Sequence, residues 1–213
     1  MENPSDSRLS RALDCGAAAI ARMGEWSPRK ALVMLFLLNI ITISPLVYAH
    51  DALDNPERVN LTDLYLFRDR AQTIADGDLL YRDTDNATVT PPGINYLLVP
   101  PLLLGDTMVA WELYFATFNF LTAAVLFFIL RKIEPRMAFL GAGLYVTSPF
   151  SFFTAISMIQ DDTILPLFVA LAVLALMHQR HVVTAGWIGL GTAIKMFPVL
   201  VAPLLVWTAP DRP

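Results

Sequence analysis

Ala31-Leu-Val-Met-Leu-Phe-Leu-Leu-Asn39-Ile-Ile-Thr-Ile-Ser-Pro45-Leu-Val-Tyr-Ala49 runs for nineteen residues without a charge. About 20 such residues in a helix cross a ~30 Å hydrocarbon core, so the stretch predicts a membrane span. Arg29 and Lys30 stand directly before it and put its start on the cytoplasmic side. Val47-Tyr-Ala49 would pass for a signal-peptide cleavage site, but the thirty residues ahead and the length of the apolar run favour a retained anchor. Composition agrees with a membrane chain. Of 213 residues 55% are hydrophobic and 16% charged, where soluble domains average about 25% charged. The single cysteine, Cys15, excludes an intramolecular disulfide. Neither a CxxC nor an HExxH pattern occurs, so a tightly held metal is not expected, and no cofactor is implied.

Further apolar runs follow at 107–130, 137–159, 163–177 and 182–209, the second of these with Pro149 as a kink point. Gly93–Leu104 is too short to cross and Pro100-Pro101 interrupts it, so it reads as a short interfacial helix. The basic turn Arg131-Lys-Ile-Glu-Pro-Arg136 and the turn His178-Gln-Arg180-His181 fall on the inner side. The expected fold is an all-α multi-pass transmembrane helical bundle of five spans (31–49, 107–130, 137–159, 163–177, 182–209). A cytoplasmic tail (1–30) precedes it, loosely ordered or resting on the membrane, in which Leu9–Met23 could form a surface helix. The long first loop (50–106) is extracytoplasmic, and 210–213 is a short tail.

That loop holds the charge: nine Asp/Glu and four Arg lie between His50 and Gly93. Within it Leu61–Ala75 reads as a helix burying Leu61, Leu64, Phe67 and Ala71, with Asp63, Arg70 and Asp78 projecting from other faces. Asn60-Leu-Thr62 and Asn86-Ala-Thr88 are sequons that suit an external loop. Asp63 is either the cap of the helix starting near Leu64 or an isolated carboxylate able to take a proton from an attacking hydroxyl. Arg68, Arg70 and Arg82 suit phosphate; the plainer alternative is neighbour pairing, as of Asp69 with Arg70. Gln160, Asp161 and Asp162 are a helix start, or ligands for sugar hydroxyls or a divalent metal, the metal not being favoured. Lys195 lies fourteen residues from His181, roughly 20 Å along a helix. That depth places it on the same side as Asp63 and Asp161. Its amine either snorkels to the headgroups or neutralises a lipid phosphate. Glu112 reads as interfacial, and His178 and His181 as structural.

The order of these features resembles the C-type membrane glycosyltransferases, and among them the polyprenyl-phosphate-mannose-using, family 87-like branch. The matching pieces are Asp63-Leu-Tyr65 after the first span, Ala71, Gly77-x-x-x-Tyr81, Pro91-Pro92-Gly93, Gln160-Asp-Asp162 opening a span, the Arg180 turn, and Gly186-Trp-Ile-Gly189-Leu-Gly191-Thr-Ala-Ile-Lys195-Met-Phe-Pro198. The resemblance covers residues 31 to 209. It implies an inverting transfer of a mannose-like hexose from a polyprenyl-phosphate donor to a lipid, glycan or protein acceptor at the extracytoplasmic face of the cell membrane. Asp63 would be the base, and Lys195, Arg70 and Arg82 the donor-phosphate contacts. Gln160, Asp161, Asp162, Tyr65 and Tyr81 would bind sugar or acceptor. Members of the group are longer and carry an acidic pair in the loop that does not surround Asp63, so the resemblance implies a truncated or minimal member.

Two other classes stay open. One is a non-catalytic remnant or partner subunit, which keeps the fold, lacks the chemistry and would show neither transfer nor polyprenyl-phosphate binding. The other is a small transporter or lipid-flipping component, which needs charges at mid-depth in the spans, where Lys195 is the candidate. Membrane lipids are expected neighbours, and nucleic acid is not an expected partner.

Overall fold

The computed structural model describes residues 4–53, 62–83 and 90–208. Among them the chain is overwhelmingly helical and contains no strand. Helix α1 (Pro4–Gly24) leads into α2 (Pro28–Leu53). Four short helices fill the loop: α3 (Leu64–Ala75), α4 (Leu80–Asp83), α5 (Pro92–Leu97) and α6 (Val99–Leu103). Then come α7 (Met108–Ile133), α8 (Pro135–Val146), α9 (Pro149–Phe152), α10 (Leu165–Met177), α11 (His181–Ile194) and α12 (Ala202–Thr208).

Local chemistry sets these boundaries. Ser27 Oγ accepts the Lys30 N–H at 3.3 Å ahead of α2, and Pro28 takes a first-turn place that needs no backbone donor. Thr107 Oγ1 accepts from Ala110 N at 3.1 Å to start α7. Glu134 Oε1 accepts from Arg136 N to start α8, with Pro135 in its first turn. Before Pro149 the residue Ser148 is forced into extended backbone. The chain accordingly bends by 44° between Pro135–Val146 and Pro149–Ser157.

Two helices, Pro28–Ala52 and Met108–Ile133, are long and apolar enough to cross a membrane, or three if the bent pair counts as one span. The thirteen residues of α10 rise only about 20 Å, less than a ~30 Å core. The 182–209 run is not one helix. It breaks at Lys195, whose backbone is extended (φ −152°, ψ 141°), and continues as the 3₁₀ turn Phe197–Val201 and then α12. Ala209, Asn60, Leu61 and the Asn86-Ala-Thr88 sequon lie outside the described residues.

Packing forms two clusters along α2 and α7. At one end Ala31, Leu35, Phe127, Ala138 and Ala142 meet, with Trp26 beside Phe139 at 4.8 Å. Arg131 Nη1 donates to the Trp26 carbonyl at 3.2 Å, and Lys30 stands 4.5 Å over the Trp26 ring. A Cβ on Gly24 would come within 2.9 Å of the Arg136 Cα. The N-terminal segment is therefore a helix docked on α8, longer than the Leu9–Met23 expectation and not a loose tail. At the other end Ile43, Leu64, Phe67, Ile94, Leu98, Trp111, Phe115, Ile159 and Ile194 form the larger core. It draws on α2, the loop helices, α7 and α11 together, so burial of apolar surface welds the loop to the long helices.

Candidate active site

The frame of the site is helix α5, against which both α3 and α11 pack. Its closeness to α11 depends on Gly93: a Cβ there would stand 2.5 Å from the Ala193 carbonyl oxygen. Two residues beyond Ala193, the break in α11 turns Lys195 out of the helix. Gly191 gives the returning chain its room, since a Cβ there would lie 3.0 Å from Pro198 Cγ and 3.2 Å from Phe168 Cβ.

Lys195 meets the Gln160-Asp-Asp162 turn. Its Nζ donates to Asp161 Oδ1 at 3.2 Å and also bonds Asp162 Oδ1. The turn is a 3₁₀ helix, Asp161–Thr163, with Gln160 extended before it and Ile159 in the left-handed region (φ 47°). Lys195 is 29% exposed at the side chain, Asp161 16% and Asp162 52%, so the cluster is open on one side. Asp162 also lines a pocket of about 90 Å³ with Asn119, Tyr145, Ser151 and Thr154. Lys195 is thus neither a free snorkelling amine nor a cation without anions. Its place beside Asp161 agrees with the level estimated from helix rise.

Asp63 occupies the N-cap position of α3 but makes no cap bond. The neighbouring Thr62 hydroxyl accepts from Leu64 N at 3.3 Å instead. That leaves an exposed carboxylate, with the exposed Tyr65 two residues on. The expected face of α3 is confirmed for Leu64, Phe67 and Ala71, all buried. Arg70 does not project from another face: it is 7% exposed, and its Nε has no hydrogen-bond partner. The expected pairing of Arg70 with Asp69 does not form. Arg68 pairs with Asp106 at 2.7 Å, and the same Asp106 oxygen accepts from Trp111 Nε1 at 2.8 Å. This clamp ties α3 to the start of α7. Sequence gave one hint of it, an Asp following Gly105, which adopts the left-handed conformation (φ 51°).

Arg82 is exposed and locked to Asp83 through Nε–Oδ1 (2.6 Å) and Nη2–Oδ2 (2.9 Å). Hydrogen bonds from Arg82 and from the Leu79 N–H hold the Asp83 carboxyl below its ordinary range, and the contact raises the guanidinium. Arg82 and Tyr81 share a cleft with α5 residues, apart from the Lys195 cluster. Glu112, expected at the interface, is fully buried and takes a 2.9 Å contact from His50 Nδ1, joining the ends of α2 and α7. Among the described residues no three His, Cys, Asp or Glu side chains gather as a metal site.

The model of glycosyltransferase family 87 matches residues 89–212. The chain belongs to glycosyltransferase family 87. No curated protein and no solved structure matches it. Within this family 87 chain the match takes in Gly93, the Gln160-Asp-Asp162 turn and Lys195, while Asp63, Tyr65, Arg70, Tyr81 and Arg82 lie before it. A glycosyltransferase with two or three apolar helices of spanning length fits a membrane location.

Proposed function

We propose that the chain is a multi-pass, inverting transferase of the C type. It would move a mannose-like hexose from a polyprenyl-phosphate carrier to an acceptor hydroxyl at the extracytoplasmic face. The observation that carries the reading is the family 87 match, which takes in the segment holding Lys195. Five crossings follow if the bent pair, α10 and the broken 182–209 segment each count as one. The loop between the first two then carries the reacting groups.

In the proposed step the acceptor oxygen attacks the anomeric carbon as the Asp63 carboxylate takes its proton. The bond from that carbon to the phosphate oxygen breaks, and the polyprenyl phosphate leaves with the electron pair. Charge on the leaving phosphate needs donors already in place. Of the three candidate cations, Arg70 is the one with no ion pair among the described residues. It is buried and has an unsatisfied Nε, a costly arrangement that a phosphate would relieve. Lys195 comes with two carboxylates, so it suits the sugar end, where Asp161, Asp162 and Gln160 accept hydroxyl protons and the amine meets one phosphate oxygen. Arg82 is taken by Asp83 and drops out of the phosphate set.

The test is transfer from polyprenyl-phosphate-linked mannose in membranes carrying the full chain and its Asp63→Asn variant. Loss of turnover with folding intact supports the scheme; undiminished turnover removes it. Neither transfer nor donor binding by the unaltered chain would mark it instead as a non-catalytic partner subunit.

A further inference from the structure

A cleft of about 610 Å³ lies between the α3–α4 turn and α5, and of the site residues expected from sequence it is lined by Tyr81 and Arg82. Its volume is that of a small-molecule site, ~300–1,000 Å³. The walls that matter are Asp78, Tyr81 and Arg82 from the turn, and Pro92 and Tyr96 from α5. The two tyrosines are 57% and 64% exposed, and neither ring stacks on another aromatic ring among the described residues. Tyr81 is nonetheless held: its hydroxyl donates to the Thr90 carbonyl at 2.9 Å. The backbone reversal that shapes the turn uses Gly77 in the left-handed region (φ 83°).

Charge decides what such a cleft can hold. Arg82 is neutralised by Asp83 through two hydrogen bonds, and Asp78 adds a further carboxylate. An anionic group gains nothing here, and Asp78 and Arg82, both solvent-exposed, offer hydrogen-bonding groups beside an otherwise largely apolar lining. A neutral polyol with apolar C–H faces satisfies both parts: ring faces on the tyrosines, hydroxyls on Asp78 and Arg82.

We propose that this cleft is a carbohydrate subsite that binds the glycan portion of the acceptor, with Tyr81 and Tyr96 as stacking platforms and Asp78 and Arg82 bonding its hydroxyls. Only the word acceptor rests on the transferase reading; the binding of sugar does not. The acceptor is then a glycan or glycolipid, its carbohydrate seated in the loop.

The experiment is saturation-transfer-difference NMR on the detergent-solubilised full chain with mannotriose, cellotriose and glycerophosphocholine as separate probes. The expected result is saturation of ring C–H protons of at least one trisaccharide, falling at least fivefold in Tyr96→Ala and in Asp78→Asn. Tyr96→Phe, which keeps the ring, should restore the signal. Matching melting temperatures show that the loss is not unfolding. Neither trisaccharide binding the unaltered chain, equal signals in all variants, or saturation of glycerophosphocholine alone would each overturn the proposal, the last by making the tyrosines membrane-interface anchors. A chain that binds sugar in the cleft but transfers none would sink the transferase reading and leave the subsite standing.

Discussion

Gly93 and Ala193 approach so closely that a Cβ on the glycine would lie 2.5 Å from the alanine carbonyl oxygen. This contact joins the loop between α2 and α7 to the helix that delivers Lys195. Gly93→Ala must push α5 off α11 or distort both. Overpacking of this kind costs about 1–3 kcal/mol, so the melting temperature in detergent should fall by several degrees and transfer should drop at least tenfold. Unchanged melting would mean that α5 and α11 are not in contact.

Asp63 and Thr62 should separate chemistry from capping. Thr62 supplies the oxygen at the start of α3, so Thr62→Ala should cost about 1 kcal/mol of stability. Asp63→Asn should leave stability within about 0.5 kcal/mol and abolish turnover. The reverse pattern, a stability loss in the Asn variant with turnover kept, would return Asp63 to a helix cap.

Arg70→Met offers a test of opposite signs. A buried guanidinium with no ion-pair partner among the described residues is unfavourable in the ligand-free chain, so replacing it with an apolar side chain of similar length should leave melting unchanged or raise it. The same change should raise the donor KM at least tenfold. Lower stability together with unaltered donor KM would show that Arg70 is structural.

Lys195→Gln removes the shared cation of Asp161 and Asp162 and leaves two carboxylates facing each other. With the cluster partly open to solvent, a cost of about 1–2 kcal/mol is expected. Asp162→Asn, which leaves Lys195 paired with Asp161, should cost less. Thermal melts of the two variants side by side give the comparison.

The Arg82–Asp83 pair sets a pH expectation. Asp83 titrates below the ordinary carboxylate value of about 3.9. Its contribution is therefore complete above that ordinary value and is lost only as pH falls through the lowered one. Trisaccharide binding should stay flat between pH 5 and 8; a drop within that window would point to a group other than this pair.

Some of this arrangement could be read from residue order. Apolar spacing gave the buried face of α3 at Leu64, Phe67 and Ala71, because helical period and burial are one geometric fact. Pro149 gave the bend after α8, because proline restricts its own and the preceding backbone wherever it occurs. Other features resisted. Arg70 was expected outward because charge seeks water, yet helix α3 lies against α5, α6 and the α7 aromatics, and Arg70 falls with Ala71 and Thr73 on its buried side. Tyr96 gave no signal, since its role depends on the α3–α4 turn standing opposite.

The sequence by itself determined the helical class, the two helices long and apolar enough to cross a membrane and the grouping of charge between them, since these follow from length, hydropathy and local backbone preference. Tertiary structure alone decided which charges meet. Lys195 reaches Asp161 and Asp162 across more than thirty residues, and Arg68 reaches Asp106 across nearly forty. Such pairings depend on where helices break and which small residues let them close up, and no local rule of the chain carries that information.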